Sequence, residues 1–489
     1  MDLQTLRSFE WGMMAPEFTI LIAGILLSLI DLFGKKQWKG HLPWLAIISI
    51  GISILFLGFQ AGHQDVSILY DTYIFDSFSF YFKFILLLGS FLIFLMILSR
   101  TAHQEIEDRG EYVYLLLAGL LGTMMMASSA DLITLFVGLE LLSLSSYIMV
   151  GLRKQHAHSN EGALKYVING GIATAFTLFG MSYVYGVSGS TKLVDISREM
   201  SGSLGSGEPV ALIGFIILFI GLGFKISTVP FHMWTPDVYQ GAATPVSAFL
   251  SVISKAAGFM IIIRLFWDLF HSIGVAAENE ALFEAMFGFV ATVSILTMVV
   301  GNIIALRQRN MKRLLAYSSI GHAGYILIPL VSLTPMSLEN IWFYLLAYVF
   351  MTIGAFMVVY ILEQQKESED LSIFTGLYKK SPELAVVMTI FLASLAGIPG
   401  TAGFVGKLNI FIGAVIANPA QYLLAGMMAL MTVISYIYYF NIFVQMFIRR
   451  PQEEERPRIT VLQWTPLLLC LIGTIGLGIF PFLALNFFS

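Results

Sequence analysis

Residues 225–236, Lys225-Ile-Ser-Thr-Val-Pro-Phe-His-Met-Trp-Thr-Pro236, interrupt a long apolar segment that is otherwise suited to a membrane helix. Proline removes a helix hydrogen bond and clashes with the preceding turn, so we expect the helix to break here. A second interruption, Gly397-Ile-Pro-Gly-Thr-Ala-Gly-Phe-Val-Gly-Lys407, lies in a later apolar segment, where clustered glycines loosen the backbone. Two broken helices at membrane depth are typical of a transport site between inverted repeats.

The composition around these stretches is that of an integral membrane protein. Of the 489 residues, 57% are hydrophobic and 12% are charged, whereas a soluble domain has about 25% charged residues. Fourteen apolar segments approach the roughly 20 residues that a membrane helix needs. They are 16–34, 42–60, 73–99, 111–128, 130–151, 162–187, 209–240, 242–270, 283–305, 312–332, 339–362, 383–416, 420–448 and 460–486. Their short connections predict a single all-α membrane domain.

Several classes of partner and cofactor are excluded by the same sequence. The net charge of −4 includes no basic stripe for nucleic acid, and the single cysteine, Cys470, allows neither an intrachain disulfide nor a cysteine metal cluster. The eight histidines lack HExxH spacing, and no GxGxxG or GxxxxGK[ST] loop is present. We therefore expect no metal site and no nucleotide, haem or iron–sulfur cluster bound by this chain.

Basic residues predict the orientation of the helices in the membrane. Nineteen of the 27 Lys and Arg residues lie on alternate connections, and only Arg7, Lys192 and Arg198 lie on the opposite side. Because Lys and Arg favour cytoplasmic loops, the side with these nineteen basic residues is predicted to be cytoplasmic. Both termini are then expected on the non-cytoplasmic side.

Four ionisable residues lie where membrane helices are expected: Glu140, Lys225, Lys255 and Lys407. A charge at that depth costs several kcal/mol, so such residues commonly mark ion or proton pathways. Lys225 precedes the first break, Lys407 follows the second, and small residues flank Lys255. The four predict a proton relay, with a static buried ion pair or a structural tether as the alternative reading of each.

Other charged and aromatic positions carry weaker signals. His322 is a candidate bridge between the two halves of the chain, with a hydrogen-bonded core histidine as an equal alternative, and His232 is a weaker candidate of the same kind. Lys83, in an aromatic stretch, is expected to be structural and to snorkel toward the interface. Arg264 and Asp268 are one turn apart, which predicts a local pair. Asp131 suits the start of its helix.

Three motifs resemble those of a known family. Residues 232–258, which begin His232-Met-Trp-Thr-Pro and end Ser254-Lys-Ala-Ala-Gly258, closely resemble a signature of subunit N of the bacterial proton-pumping NADH–quinone oxidoreductase (respiratory complex I). Residues 311–325 (Met-Lys-Arg-Leu-Leu-Ala-Tyr-Ser-Ser-Ile-Gly-His-Ala-Gly-Tyr) and 395–407 are similar to two further motifs. The resemblance covers segments three to thirteen. Gly400 and Ala243 stand where the family often has proline, which leaves the second break looser.

The resemblance implies an antiporter-like fold. Helices 1–3 would occupy 1–110, two inverted five-helix repeats 111–270 and 283–448, and helix 14 residues 460–486. The two breaks agree with this, because they are five segments apart, an odd number that makes the repeats inverted. Lys225 and Lys407, which lie on opposite sides of their breaks, do not superpose in the sequence.

The resemblance also implies a function. Glu140, Lys225, Lys255 and Lys407 would form the family's relay, His322 would bridge it, and NADH, FMN, iron–sulfur clusters and quinone would be handled by partner subunits. Sister antiporter-like subunits and small membrane subunits of the complex, in the bacterial plasma membrane, are the implied partners. A subunit of a multisubunit sodium/proton antiporter is the alternative, and a non-conducting scaffold is a third reading.

Overall fold

The computed structural model describes residues 9–99, 109–202, 207–267, 280–366, 368–450, 456–457 and 459–485. The α-helices, in chain order, are α1 Ala15–Phe33, α2 Lys36–Lys39, α3 Leu42–Phe59, α4 Ser77–Leu98, α5 Arg109–Ala127, α6 Leu132–Val150, α7 Ala157–Ser188, α8 Leu193–Met200, α9 Glu208–Ile226, α10 Trp234–Gly241, α11 Thr244–Phe249, α12 Lys255–Leu265, α13 Glu280–Ala305, α14 Met311–Ser332, α15 Ser337–Lys366, α16 Leu377–Lys380, α17 Pro382–Ala396, α18 Ala402–Ile416, α19 Tyr422–Phe443 and α20 Val461–Ile479. Leu250–Ser254, which joins α11 to α12, and Val444–Ile448 are π-helical. Short 3₁₀ turns lie at Trp11–Met14, Leu371–Phe374 and Pro481–Leu483.

The predicted all-helical membrane fold is confirmed. Within the described ranges, 13 helices are long and apolar enough to cross a membrane, with α11 and α12 counted as one. The predicted segment 383–416 is instead split into the shorter apolar helices α17 and α18. Together α17 and α18 correspond to this twelfth predicted segment, and the 13 long helices correspond to the other thirteen.

Both predicted breaks are present. α9 ends at Ile226, and Ser227 adopts the left-handed conformation (φ 61°) before a turn leads into α10. α17 ends at Ala396, and both Gly397 (φ 87°), which follows it directly, and Gly400 (φ 89°) are left-handed before α18 begins. Because a left-handed backbone is readily adopted by glycine, the glycine-rich sequence suits the second break.

A small β-hairpin was not predicted. β1 (Val66–Ile68) pairs antiparallel with β2 (Tyr73–Phe75), so the third predicted segment begins as a strand and its helix starts at Ser77. Asp76 then caps α4: its side chain accepts from Ser79 N at 2.7 Å, and the Ser79 hydroxyl accepts from Asp76 N. Asp131 caps α6 in the same way, as predicted for an acid at a helix start.

Three long helical stretches form the centre of the molecule. The apolar windows of Thr244–Leu265, α14 and α15 are at least 94% buried, whereas those of α1, α3, α7 and α20 are 33% buried. The helices that carry Lys255 and His322 are therefore shielded from lipid by the others, which places both side chains in the protein interior.

Close helix packing at Gly301 gives a test of this arrangement. A Cβ atom on Gly301 of α13 would lie 2.4 Å from the Gly321 nitrogen of α14, so Gly301→Ala forces the two helices apart. We expect a loss of about 1–3 kcal/mol in stability, as in other overpacked sites, measured as a lower thermal midpoint in mild detergent. Gly288→Ala, on the same helix with no atom within 4 Å, is the control and is expected to melt like the parent protein. Equal melting of the two variants would contradict the packing.

Candidate functional site

Lys225 lies in the last turn of α9, at the first break. Its side chain is buried, and Nζ donates a 3.2 Å hydrogen bond to the Ser143 hydroxyl of α6. Glu140, three residues before Ser143, is half-buried and accepts a 2.8 Å hydrogen bond from Thr174 of α7. Glu140 acts electrostatically on Lys225, but Ser143 makes the direct contact. Among the described residues, Lys225 therefore contacts a hydroxyl rather than the Glu140 carboxylate.

Lys255 begins α12 directly after the π-helical segment, a distortion that is frequent at functional sites. Its buried Nζ donates to the Ser319 hydroxyl of α14 at 2.7 Å. One turn later, Gly258 lies against Lys225: a Cβ atom there would come within 3.3 Å of Lys225 Cγ. The small residue beside Lys255 thus allows the two lysine-bearing helices to pack closely, as the sequence indicated.

Lys407 is carried by α18 but reaches back across the second break. Nζ donates to the carbonyl oxygens of Leu395 (2.8 Å) and Ala396 (3.0 Å) at the end of α17. These are orphan acceptors of a helix C-terminus, which a lysine can satisfy. The ammonium also lies 5.1 Å from the centre of the Tyr325 ring.

This contact explains why the two lysines do not superpose in the sequence. Lys225 belongs to the last turn of the helix before its break, and the Lys407 ammonium lies at the end of the helix before its own break. Each break is thus associated with one lysine at the helix that precedes it: Lys225 by its place in the last turn, and Lys407 by the contact of its ammonium, where the helix dipole favours a cation.

His322 lies between Lys255 and Lys407. It follows Ser319 by one turn on α14, is buried, and both lysines act on it electrostatically. Its Nδ1 is 2.5 Å from the Tyr344 hydroxyl and its Nε2 is 3.4 Å from the Tyr439 hydroxyl. The structure thus brings the candidate bridge together with both of its proposed neighbours. The two tyrosines were not singled out from the sequence, because they come from distant helices.

The partners of the three lysines are chemically alike, because all are neutral. The Ser143 and Ser319 hydroxyls each donate to a backbone carbonyl of their own helix and accept from the lysine. A neutral amine still has N–H bonds to donate, so both contacts can persist in either protonation state of the lysine. Such an arrangement suits groups that exchange protons. No group of three or more His, Cys, Asp or Glu placed to hold a metal ion occurs in the described part of the chain.

His232, the weaker histidine candidate, lies in the turn after the first break. It is 9% exposed, and the positive charge of Lys255 acts on it. Its Nδ1 makes no hydrogen bond within the described residues. The structure therefore places His232 within the electrostatic reach of Lys255 and assigns it no further role.

The snorkelling predicted for Lys83 is wrong. Lys83 is fully buried, with its Nζ 2.5 Å from Glu17 and 2.9 Å from the Tyr73 hydroxyl. A buried carboxylate and the hairpin tyrosine satisfy the ammonium, so it has no need to reach the interface. One sign of this pair is present in the sequence, because the acid Glu17 lies at the start of an apolar segment.

Arg264 has a partner that its sequence neighbours did not suggest. It donates to Asp76 at 2.6 and 3.2 Å and to the Ala127 carbonyl at 2.8 Å. Asp268, the predicted partner, lies outside the described residues. Arg264 therefore connects the end of α12 to the N-cap residue of α4 and to the last residue of α5.

Comparisons with known proteins agree on one family. The family profile described as NADH:quinone oxidoreductase/Mrp antiporter, TM, matches residues 129–435. The chain is 52% identical to the NADH-quinone oxidoreductase subunit N of Bacillus anthracis over 489 residues, which covers 100% of this chain and 96% of that protein.

Solved structures share the fold. A chain of respiratory complex I from Thermus thermophilus with bound aureothin superposes with a TM-score of 0.79 at 30% identity, covering 96% of this chain and 98% of that one. A chain of the Mrp complex from Dietzia sp. superposes with a TM-score of 0.82 at 18% identity, covering 100% of this chain and 96% of that one. The second likeness shows the fold alone.

The Lys83–Glu17 pair can be tested by a double-mutant cycle. Lys83→Met leaves the buried Glu17 carboxylate without its cation, which typically costs about 3–5 kcal/mol of stability. Combining it with Glu17→Gln should restore most of the thermal midpoint in detergent. Lys39→Met breaks the more exposed Lys39–Asp31 pair (3.0 Å) at the other end of α1 and should cost at most about 1 kcal/mol. Simple additivity of the two buried substitutions would contradict the pairing.

Proposed function

We infer the function from one premise: the chain belongs to the family of NADH–quinone oxidoreductase subunit N, the antiporter-like membrane subunits of bacterial respiratory complex I. As a member, it is a multi-pass membrane subunit of that enzyme and translocates protons. The identity to subunit N relatives extends over the full chain, whereas the Mrp complex shares only the fold. This favours the oxidoreductase over the sodium/proton antiporter alternative.

The proposed route of the protons is the row Glu140, Lys225, Lys255, His322 and Lys407. One observation carries it: the three lysines are buried and bound only by neutral oxygens among the described residues. Gly258 brings the first two lysines to adjoining helices, and His322 stands between the last two. Each group can therefore receive a proton from one neighbour and release it to the next.

Coupling to electron transfer would act at the Glu140 end of the row. NADH, FMN, iron–sulfur clusters and quinone belong, in this proposal, to partner subunits, which include the sister antiporter-like subunits and small membrane subunits. A charge or conformational signal from the quinone site would change how Glu140 acts on Lys225, since the two interact without direct contact. The proton on Lys225 would then shift toward Lys255 and leave through Lys407.

The arrangement in the membrane is proposed from the sequence and the breaks. Two inverted five-helix units, 111–270 and 283–448, would each contain one broken helix, with helices 1–3 (1–110) and helix 14 (460–486) outside them. One lysine at the end of each half-helix, Lys225 by position and Lys407 by its contact, supports this division. The basic loops support a plasma-membrane orientation with both termini on the non-cytoplasmic side.

Lys225→Met tests the relay. Methionine keeps the apolar stem that packs against Gly258 but removes the protonatable nitrogen, so the complex should assemble and NADH-driven proton pumping should fall about tenfold or more. Pumping is measured in inverted vesicles as protons moved per NADH oxidised. Lys192→Met, at a lysine that is 40% exposed and paired with Asp71, is the control. Normal pumping by Lys225→Met would remove Lys225 from the route.

Two variants of Lys407 distinguish a role in proton release from a role as a fixed positive charge. Lys407→Arg keeps a cation near the end of α17, but a guanidinium does not release its proton at working pH. Lys407→Met removes the charge and keeps the apolar length. Both variants are expected to pump poorly in the same vesicle assay. An arginine variant with the parent's ratio would make Lys407 a structural cation that caps the half-helix.

A further inference from the structure

We propose that Tyr325 is a positioning residue of the proposed relay, and that the face of its ring holds the Lys407 ammonium within reach of His322. Asn302 fixes the ring in this place. This role rests on the function proposed above, which makes Lys407 the group that releases the proton. It adds the side chains that determine where Lys407 holds its proton before release.

The Lys407 ammonium is held differently from the other two lysines of the row. Lys225 and Lys255 bind serine hydroxyls, whereas Lys407 binds two carbonyls at the end of α17 and lies over the Tyr325 ring, whose centre is 5.1 Å from Nζ. The carbonyls accept from an ammonium and from a neutral amine alike, but the face of an aromatic ring attracts mainly the ammonium. Because Tyr325 is only 1% exposed, water does not weaken this attraction. The ring is therefore the contact of Lys407 that depends most on the proton.

The same ring also contacts His322. Tyr325 follows His322 by three residues on α14, so the two side chains lie on one face of this helix. Their ring centres are 5.6 Å apart, and the ring planes are nearly perpendicular (84°). The positive charge of Lys407 acts on His322 as well. One tyrosine thus lies against both the candidate bridge and the lysine that would receive its proton, so a displaced ring would change how the two are placed.

Asn302 of α13 holds the ring by its hydroxyl. The side-chain nitrogen of Asn302 donates to the Tyr325 hydroxyl at 3.1 Å and to the Met298 carbonyl at 2.8 Å. The side-chain oxygen accepts from the Tyr438 hydroxyl of α19 at 3.0 Å. Both N–H groups and the oxygen of this buried amide are therefore used, and a flipped amide would place its oxygen against the Met298 carbonyl. The hydrogen bonds thus fix the amide and, through it, the ring.

Two glycines of α14 allow Asn302 to approach the ring. A Cβ atom on Gly321 would lie 2.7 Å from the side-chain nitrogen of Asn302, so a larger residue there would displace the amide. A Cβ atom on Gly324 would lie 2.6 Å from Met298 Cγ, one turn before Asn302 on α13. These glycines flank His322 in the run Gly321-His-Ala-Gly-Tyr325. The run that supplies the histidine and the ring therefore also supplies the space for the residue that fixes the ring.

The helices packed against α18 determine which other groups face Lys407. They are α14, α15, α17, α19 and α20. Their charged side chains lie in terminal turns, and these are Lys312, Arg313, Glu339, Glu363, Lys366 and Glu383. The titratable side chains away from those turns that contact the Lys407 site are His322 and Tyr325 of α14, Tyr344 of α15, and Tyr438 and Tyr439 of α19; α20 carries only the buried Cys470. Within these helices, His322 is therefore the neighbour of Lys407 that can take up a positive charge.

Tyr325→Leu and Tyr325→Phe in the assembled complex test the ring. Leucine removes the aromatic face, so protons moved per NADH oxidised should fall about threefold or more at alkaline pH, where an ammonium is hardest to keep, and less at acidic pH. Phenylalanine keeps the face and loses only the bond to Asn302, so it should retain most of the ratio. Phe287→Leu, which removes a buried ring of α13 that contacts Phe266 and Phe283, is the matched control and should keep the parent's ratio at every pH.

Asn302→Leu tests whether the amide acts through the ring. It removes the same hydrogen bond as Tyr325→Phe, so the two variants should lose a similar part of the ratio, again mainly at alkaline pH. The double variant should pump like either single one, because no bond is left for the second substitution to remove. Additive losses would mean that Asn302 acts independently of Tyr325, and would overturn its role in fixing the ring.

Three results would overturn the role of the ring itself. They are a parent ratio in Tyr325→Leu at every pH, a loss of the same size at every pH, as a merely structural role would give, and a Tyr325→Phe variant as defective as Tyr325→Leu. If Tyr325→Leu does not assemble, Tyr325→Phe and Asn302→Leu carry the test, and parent ratios in both at alkaline pH would overturn the proposal.

Lys407→Met distinguishes this role of Tyr325 from the relay on which it rests. If Lys407→Met pumps normally, the relay is wrong at its last member and the ring has no proton to hold. If Lys407→Met pumps poorly while assembled Tyr325→Leu keeps the parent's ratio, the relay stands and the positioning by Tyr325 alone is wrong.

Discussion

The structure depends on one constraint: an ionisable side chain inside the membrane must be satisfied by groups that the protein itself supplies. Lys225 and Lys255 meet it with serine hydroxyls on neighbouring helices, and Lys407 meets it with two carbonyls freed by a helix break. The breaks, the glycine contacts and the burial of the central helices all follow from bringing these partners within reach. Where the partner is instead a carboxylate, as for Lys83 and Glu17, the charges are fixed in place.

The type of partner divides the buried lysines into two classes. A lysine in contact with a carboxylate is held charged, because loss of its proton would leave the buried acid unpaired. A lysine that contacts only hydroxyls or carbonyls is not held charged in this way. Lys83 belongs to the first class and the lysines of the proposed relay to the second. Lys312 is buried and bound by two carboxylates, so it belongs to the first class. The two carboxylates lie at the edge of the protein and remain partly exposed to water.

The sequence was sufficient to predict the helices and their breaks, but not which side chains contact each other. Apolar length and the proline and glycine clusters are local signals, so the segments, the two interruptions and the four intramembrane charges could be predicted from them. Glu17 and Lys83 are far apart in the chain, as are Lys312 and Glu363, and no local pattern records which helices meet. For the same reason, the sequence did not predict that Tyr344 and Tyr439 contact His322. It also suggested Asp268, a near neighbour in the chain, as the partner of Arg264, which instead binds Asp76.

Polar groups are distributed unevenly along the helix that carries Lys255. The part that leads to Lys255, residues 244–254, has four hydroxyl side chains, whereas the eight residues after it have no polar side chain. Because an apolar membrane interior offers no hydrogen-bond partner, such groups decide where a buried ammonium can be satisfied. At the other end of the proposed row, the Lys407 ammonium is held by two backbone carbonyls that the second break leaves without helix partners. The proposed route is therefore built on neutral oxygens at both ends, and neutral oxygens hold a lysine without fixing its charge.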